Sequence, residues 1–154
     1  INPMRKQNFL IGAALIVISL SLTGCGGAAS KAGGVVDGKL APCPSSPNCV
    51  STQAEADDSY HHMDPIPFTG SPADTQAKIL AAIQAMPRTK VVTADPTYIH
   101  AEFTSGIMRY VDDVEFSIDA DAELINFRSA SRMGYGDIGA NRKRMNELVA
   151  KIQN

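Results

Sequence analysis

Three stretches of alternating apolar and polar residues lie close together in the second half of this chain, and they restrict its fold more than any other feature. From Tyr98 to Thr104, Ile99, Ala101 and Phe103 fall on one side. From Arg109 to Asp119 the same side holds Tyr110, Val114, Phe116 and Ile118, and from Glu123 to Ser131 it holds Ile125 and Phe127. A period of two marks a strand buried on one face. Asp119-Ala120-Asp121-Ala122 reads as a hairpin connection, so consecutive strands pair antiparallel. A shorter Val-rich run, Lys90 to Ala94, adds a fourth strand.

Helical patterns flank these strands. Ser71-Pro72-Ala73-Asp74 supplies a capping serine, a proline suited to the first helical position and an acid for the first turn. Ala73, Ala77, Leu80 and Ile83 then share a face, and Pro87 ends the helix. Asp137 caps a final helix whose stripe is Ile138, Met145, Leu148, Val149 and Ile152. The expected fold is α+β: an antiparallel four-stranded sheet with two helices on one face, in the order α-β-β-β-β-α. Residues 42–70, rich in proline, precede it as a strap with short extended pieces. The methionines read as packing residues at core or terminal positions.

The N-terminus has another character. Arg5 and Lys6 precede an apolar run from Phe9 to Leu22, and Leu22-Thr23-Gly24-Cys25 closes it. This is the layout of a secretory signal, and the run is shorter than the ~20 apolar residues a membrane span needs. Small residues followed by cysteine resemble the lipobox of bacterial lipoproteins. The resemblance implies removal of residues 1–24 and acylation of Cys25, and Gly26 at the next position implies the outer membrane, facing the periplasm. Residues 25–41 read as a flexible, Gly-rich tether, and 42–154 as a single domain of ordinary core size.

In that oxidising setting the two remaining cysteines, Cys43 and Cys49, are expected to form a disulfide. Their spacing does not match the two-residue spacing of thioredoxin-like or zinc motifs. Removing the signal leaves 12 basic against 16 acidic residues, a net charge of −4 with neutral histidines. Without a basic run, nucleic acid is not an expected partner. Neither a metal nor a cofactor is expected: His61 and His62 are adjacent, and no ligand spacing links them to Asp64 or His100.

Alternation puts His100, Glu102, Arg109, Asp113, Glu115, Arg128 and Arg132 on the face opposite the core. They form either a solvated, salt-bridged surface or a polar binding surface in which arginine forks hold a carboxylate or phosphate. Asp112 falls on the inward face and requires a partner. Arg142 and Arg144 are both within reach, as are Ser129 and Ser131, and an Asp112–Arg142 ion pair is the expectation. The glycine-rich segment from Arg128 to Arg142 runs from a strand into a helix N-terminus, where free N–H groups favour anions. The candidate contact surface is therefore Arg109, Asp113, Arg128, Arg132, Asn141 and Arg142.

Three blocks together carry a family resemblance: Pro42-Cys43-Pro44-Ser45-Ser46-Pro47-Asn48-Cys49-Val50-Ser51, then Tyr110-Val111-Asp112-Asp113-Val114-Glu115-Phe116, then Arg128-Ser129-Ala130-Ser131-Arg132 with Gly134-Tyr135 and Asp137-Ile138-Gly139-Ala140-Asn141-Arg142. From Pro42 onward the chain resembles the domain-of-unknown-function family 1499. The resemblance implies an envelope domain and transfers no catalytic residue. The functional expectation is a non-catalytic binding or envelope-assembly module, partnered by the membrane and by an envelope protein or anionic small molecule. One alternative is an enzyme acting on an anionic envelope metabolite, with Asp112 or Asp113 as acid/base and Arg128, Arg132 and Arg142 as clamps. Another is a purely structural tether.

Overall fold

A computed structural model of the chain describes residues 28–154; the expected signal segment and Cys25 lie outside the described residues. The elements in chain order are β1 (Val35–Val36), β2 (Lys39–Leu40), β3 (Cys49–Ser51), β4 (Ile66–Pro67), α1 (Pro72–Gln84), β5 (Thr89–Asp95), β6 (Tyr98–Thr104), β7 (Val111–Asp119), β8 (Leu124–Ser131) and α2 (Ala140–Gln153). The fold is α+β, and its sheets are antiparallel. The main sheet has the order β3-β8-β7-β6-β5, with β4 also paired to β8, which makes six strands rather than the expected four.

The two additional strands come from the strap. Val50 and Ile66 are buried in the core, and their strands pair with opposite ends of the free edge of β8. An open edge exposes unpaired backbone groups, and these short strands close it. The expected disulfide is present: Cys43 is bonded to Cys49, with Cα atoms 5.7 Å apart, directly before β3.

Alternation holds through β6, β7 and β8. Phe116 lies opposite Phe127 with ring centroids 6.3 Å apart in an edge-to-face arrangement. Against them pack Ile79, Ala82 and Ile83 of α1 and Met145, Leu148 and Ile152 of α2. Ser71 accepts a hydrogen bond from the Asp74 N–H, as a capping serine should. The buried stripe of α1 is rotated from the expectation, to Thr75, Ile79, Ala82 and Ile83, while Ala73 and Ala77 are exposed. The larger side chains decide which face packs inward.

Two further expectations are corrected. Tyr110 is not inward but about half exposed, because β7 begins only at Val111, after Arg109 in a left-handed conformation (φ 56°) has broken the alternation. Ile138 is not part of the α2 stripe. The helix starts at Ala140, after Ile138 and Gly139 have both taken positive φ. Asp137 still caps the helix, its carboxylate accepting from the Gly139 and Asn141 N–H groups at 2.9 Å each.

Candidate functional site: a cleft at one end of the sheet

The face of the sheet opposite the helices is ionic, and it is covered. Asp113 and Glu115 are wholly buried, and Arg128 and His100 nearly so. Arg132 binds Asp113 through two nitrogens, at 3.0 and 2.8 Å, and Glu102 at 2.6 Å. Arg128 donates to Glu115 at 3.2 Å, and the Tyr98 hydroxyl donates to Glu115 at 2.8 Å. Burial, followed by that carboxylate, pushes the Tyr98 phenol well above its ordinary range.

The cover is the segment read as a tether. Lys31 N–H and the Ser30 hydroxyl donate to Asp113 at 2.7 and 2.9 Å, and the Gly33 and Gly34 N–H groups donate to Glu115 at 3.0 and 2.9 Å. Residues 28–41 therefore lie against the sheet and close with the β1–β2 hairpin. Glycine suits both positions: a Cβ on Gly33 would meet the Ala41 side chain at 2.9 Å, and Gly34 takes a left-handed backbone (φ 67°). Burial alone would raise the Asp113 carboxyl. The donors on it (His100, Arg132, Lys31 N–H and Ser30) outweigh burial and hold it well below the usual carboxylate range. An ionised Asp113 only accepts, so the His100 Nε2, 2.8 Å away, carries the proton.

On the helix side, the partner of Asp112 is Arg144, at 2.6 Å, and not Arg142. Arg144 also lies over the Phe103 ring, 5.2 Å from its centroid, and donates to Asn141 at 2.8 Å. Arg142 instead donates to the carbonyls of Ser59, Tyr60 and His62 and fastens the strap to α2. Asn141 is fully buried. Its Oδ1 accepts from Ser129, and its Nδ2 donates to Asn48 O, Ser131 and Asp137, so it joins α2, β8 and the strap.

Of the six residues expected at a contact surface, then, Asp113, Arg128 and Asn141 are buried. Arg132 and Arg142 are part-buried in internal bonds, and Arg109 alone is exposed. The surface the sequence reading missed is a cleft of about 680 Å³ between residues 105–110 and 133–140. Asp112, Ser131 and Arg144 line it beside Ile107, Met108, Tyr110, Met133 and Ile138. Ile107 is 93% exposed and Ile138 fully so. Met108 and Met133 are also exposed, so only Met63, Met86 and Met145 among the described methionines fit the packing role. The cleft falls within the range of about 300–1,000 Å³ usual for small-molecule sites. A larger hollow, about 820 Å³, lies under the β1–β2 hairpin; of the titratable groups lining it, Lys39, Glu55, Asp58 and His61, the last two are bonded to each other at 2.6 Å.

Among the described residues no group of three histidine, cysteine or acidic side chains is placed to hold a metal ion. His61 bonds Asp58 and Ser46 O, His62 bonds Ala54 O, and His100 bonds Asp113.

The geometry defines a two-layer α+β domain with an internally neutralised polar face and an apolar cleft at one sheet end. Residues 39–152 match the family model described as "Protein of unknown function (DUF1499)", and the chain belongs to that family. No curated protein matches the chain's sequence.

Proposed function

We propose that this chain is an outer-membrane lipoprotein, held on the periplasmic face by acyl chains on Cys25, whose domain is a non-catalytic binding module. Its binding site is the cleft floored by Asp112 and Arg144. One observation carries the reading: the exposed large apolar side chains Ile107, Met108, Met133 and Ile138 wall a single cleft around one ion pair. That combination suits a molecule with an apolar body and one polar or charged end. The N-terminal Leu22-Thr23-Gly24-Cys25 pattern supports the anchor.

The competing enzyme reading draws support from Asp112 on the cleft floor. Its anion clamps, however, are turned elsewhere. Arg128 and Arg132 bind carboxylates, and Arg142 binds three carbonyls. Among the described residues no helix is long and apolar enough to cross a membrane.

The test is thermal unfolding of the full chain with Cys25 replaced by serine, against acyl amphiphiles, peptidoglycan peptides, phosphates and metals. A ligand at 100 times its dissociation constant stabilises by about 2.7 kcal/mol. The expected hit is an amphiphile whose effect disappears in Met133→Ser. Stabilisation by inorganic phosphate, lost on Arg128→Ala, would favour the enzyme reading and sink this one.

A further inference from the structure

The two loops that wall the cleft share one end of the sheet. Thr104 opposite Val111 and Asp112 opposite Ser131 define that end, from which residues 105–110 and 132–139 project. The N-terminal segment leaves the fold at the same end. Along β7, Gly34 meets Glu115, Lys31 meets Asp113, and the Ala28 carbonyl accepts from Arg132 at 3.4 Å. Cys25 precedes Ala28 by three residues, a contour of about 10 Å at most.

Charge divides along the same axis. The far end carries exposed Asp95, Asp119, Asp121 and Glu123. At the cleft end the exposed charges include Arg88 and Arg109, and of the two acids lining the cleft Asp112 is paired with Arg144 and Asp137 caps α2. The same end carries Ile107, Met108, Met133, Tyr135 and Ile138, all exposed. Ile138 holds a left-handed backbone (φ 53°), which a β-branched residue adopts only at a cost.

We infer that this end of the domain is a bilayer-docking face, with the loop tips at 107–108 and 133–138 entering the lipid interface and Arg109 reaching headgroup phosphates. The inference rests on acylation of Cys25 and deepens the proposed function, since the cleft then opens onto the membrane that supplies its amphiphile. The short distance from Ala28 to the anchor holds this end nearest the bilayer. Exposed apolar side chains at the same end as Arg88 and Arg109 suit an anionic lipid surface, and the acidic end is directed away from it.

The chain contains no tryptophan, so a single introduced indole reports without background. Ile107→Trp, Met133→Trp and, at the acidic end, Ala120→Trp are placed in the full chain and reconstituted into phosphatidylglycerol-containing vesicles. All three positions are exposed, so the fold should tolerate them. The expected result is blue-shifted emission at 107 and 133, quenched about twofold or more by lipid brominated in the upper acyl chain. That region matches the ~5–10 Å depth of interfacial side chains. Ala120→Trp should show neither effect.

Intact mass reports acylation separately. An acylated chain with all three indoles unquenched overturns the docking face and leaves the anchor standing. Blue shift without quenching assigns the face to a protein partner or a second copy and also overturns it. An unacylated chain removes the anchor. Quenching of its 107 and 133 indoles by added vesicles would still support the face, and failure to bind would end it.

Discussion

Asp113→Asn tests whether the covered polar face holds the N-terminal segment in place. Five donors meet the Asp113 carboxylate: Ser30 Oγ, His100 Nε2 and Arg132 Nη2 at Oδ1, and Lys31 N and Arg132 Nε at Oδ2. An asparagine has one acceptor oxygen and one amide NH₂. Its best placement keeps the oxygen at the Oδ1 position and turns its NH₂ group toward Lys31 N–H and Arg132 Nε. Two part-buried donors are then stranded against a buried amide, at about 1–3 kcal/mol each. Arg132 retains Glu102 at 2.6 Å, so its charge is not left alone and the upper end of that range does not apply. The expected loss is about 3 kcal/mol, or roughly 10 °C in midpoint for a domain of this size. Urea denaturation followed by circular dichroism reads it directly, and amide exchange at Lys31, Gly33 and Gly34 should accelerate. The folded Asp113 pKa is depressed. Its contribution is therefore fully present above about pH 5, and it falls away as pH drops toward the folded value. A loss below about 1 kcal/mol, or a Lys31 amide that still exchanges slowly in the variant, would show that the segment is not clamped through Asp113.

Four other outcomes are expected. Arg144→Met leaves Asp112 buried without its partner and should cost about 3 kcal/mol by urea denaturation; a neutral effect would mean water already serves that carboxylate. Ile138→Gly should stabilise by about 1 kcal/mol, since glycine adopts positive φ freely, while lowering vesicle affinity; destabilisation would contradict the strain argument. Replacing Cys43 and Cys49 together by serine should lower unfolding free energy by about 2 kcal/mol in the chain-entropy description of a loop this short, checked by the denaturation midpoint. For His61, burial alone would lower the imidazole pKa, but Asp58 and the Ser46 carbonyl raise it. Both partners are acceptors, so the doubly protonated ring fits the site. Its stabilisation is full below about pH 6.5 and is lost as pH rises through the folded value. A stability gap between the chain and His61→Gln that stays constant from about pH 5 to 9 would refute this.

The sequence showed most where side chains repeat. Val114, Phe116 and Ile118 on β7 and Ile125 and Phe127 on β8 gave the sheet and its buried face. β3 and β4 carry no readable period, because three and two residues do not establish one. The cover over Asp113 and Glu115 acts through backbone N–H groups of Lys31, Gly33 and Gly34. Glycine-rich composition looks the same whether the chain is loose or bound. Arg142 and Arg144 lie two positions apart on a helix, on different faces, so the partner of Asp112 depended on where α2 starts. The start at Ala140 was obscured by the two positive-φ residues before it. Met108, Met133 and Ile138 were hidden for the opposite reason: an apolar residue in an irregular loop resembles a core residue until its exposure is known.

Why those apolar loops remain outside follows from what lies beneath them. Folding Ile107 or Ile138 inward at this end would require space held by Asp112, Arg144, Ser129, Ser131 and Asn141. These are joined by bonds of 2.6 Å (Arg144–Asp112 and Ser129–Asn141) and 2.9 Å (Asn141–Ser131). Displacing such a network strands buried polar groups at several kcal/mol, more than an isoleucine gains by burial, about 1.5–3 kcal/mol. The ion pair therefore seals the core and keeps the apolar rim outside it. On the other face the same economy operates in reverse, with the arginines matched internally and little charge left to recognise a ligand. A soluble domain does not gain by holding several large apolar side chains in water around one cleft. Their grouping at the end where the chain leads to Cys25 is what the proposed anchor and docking face require of each other.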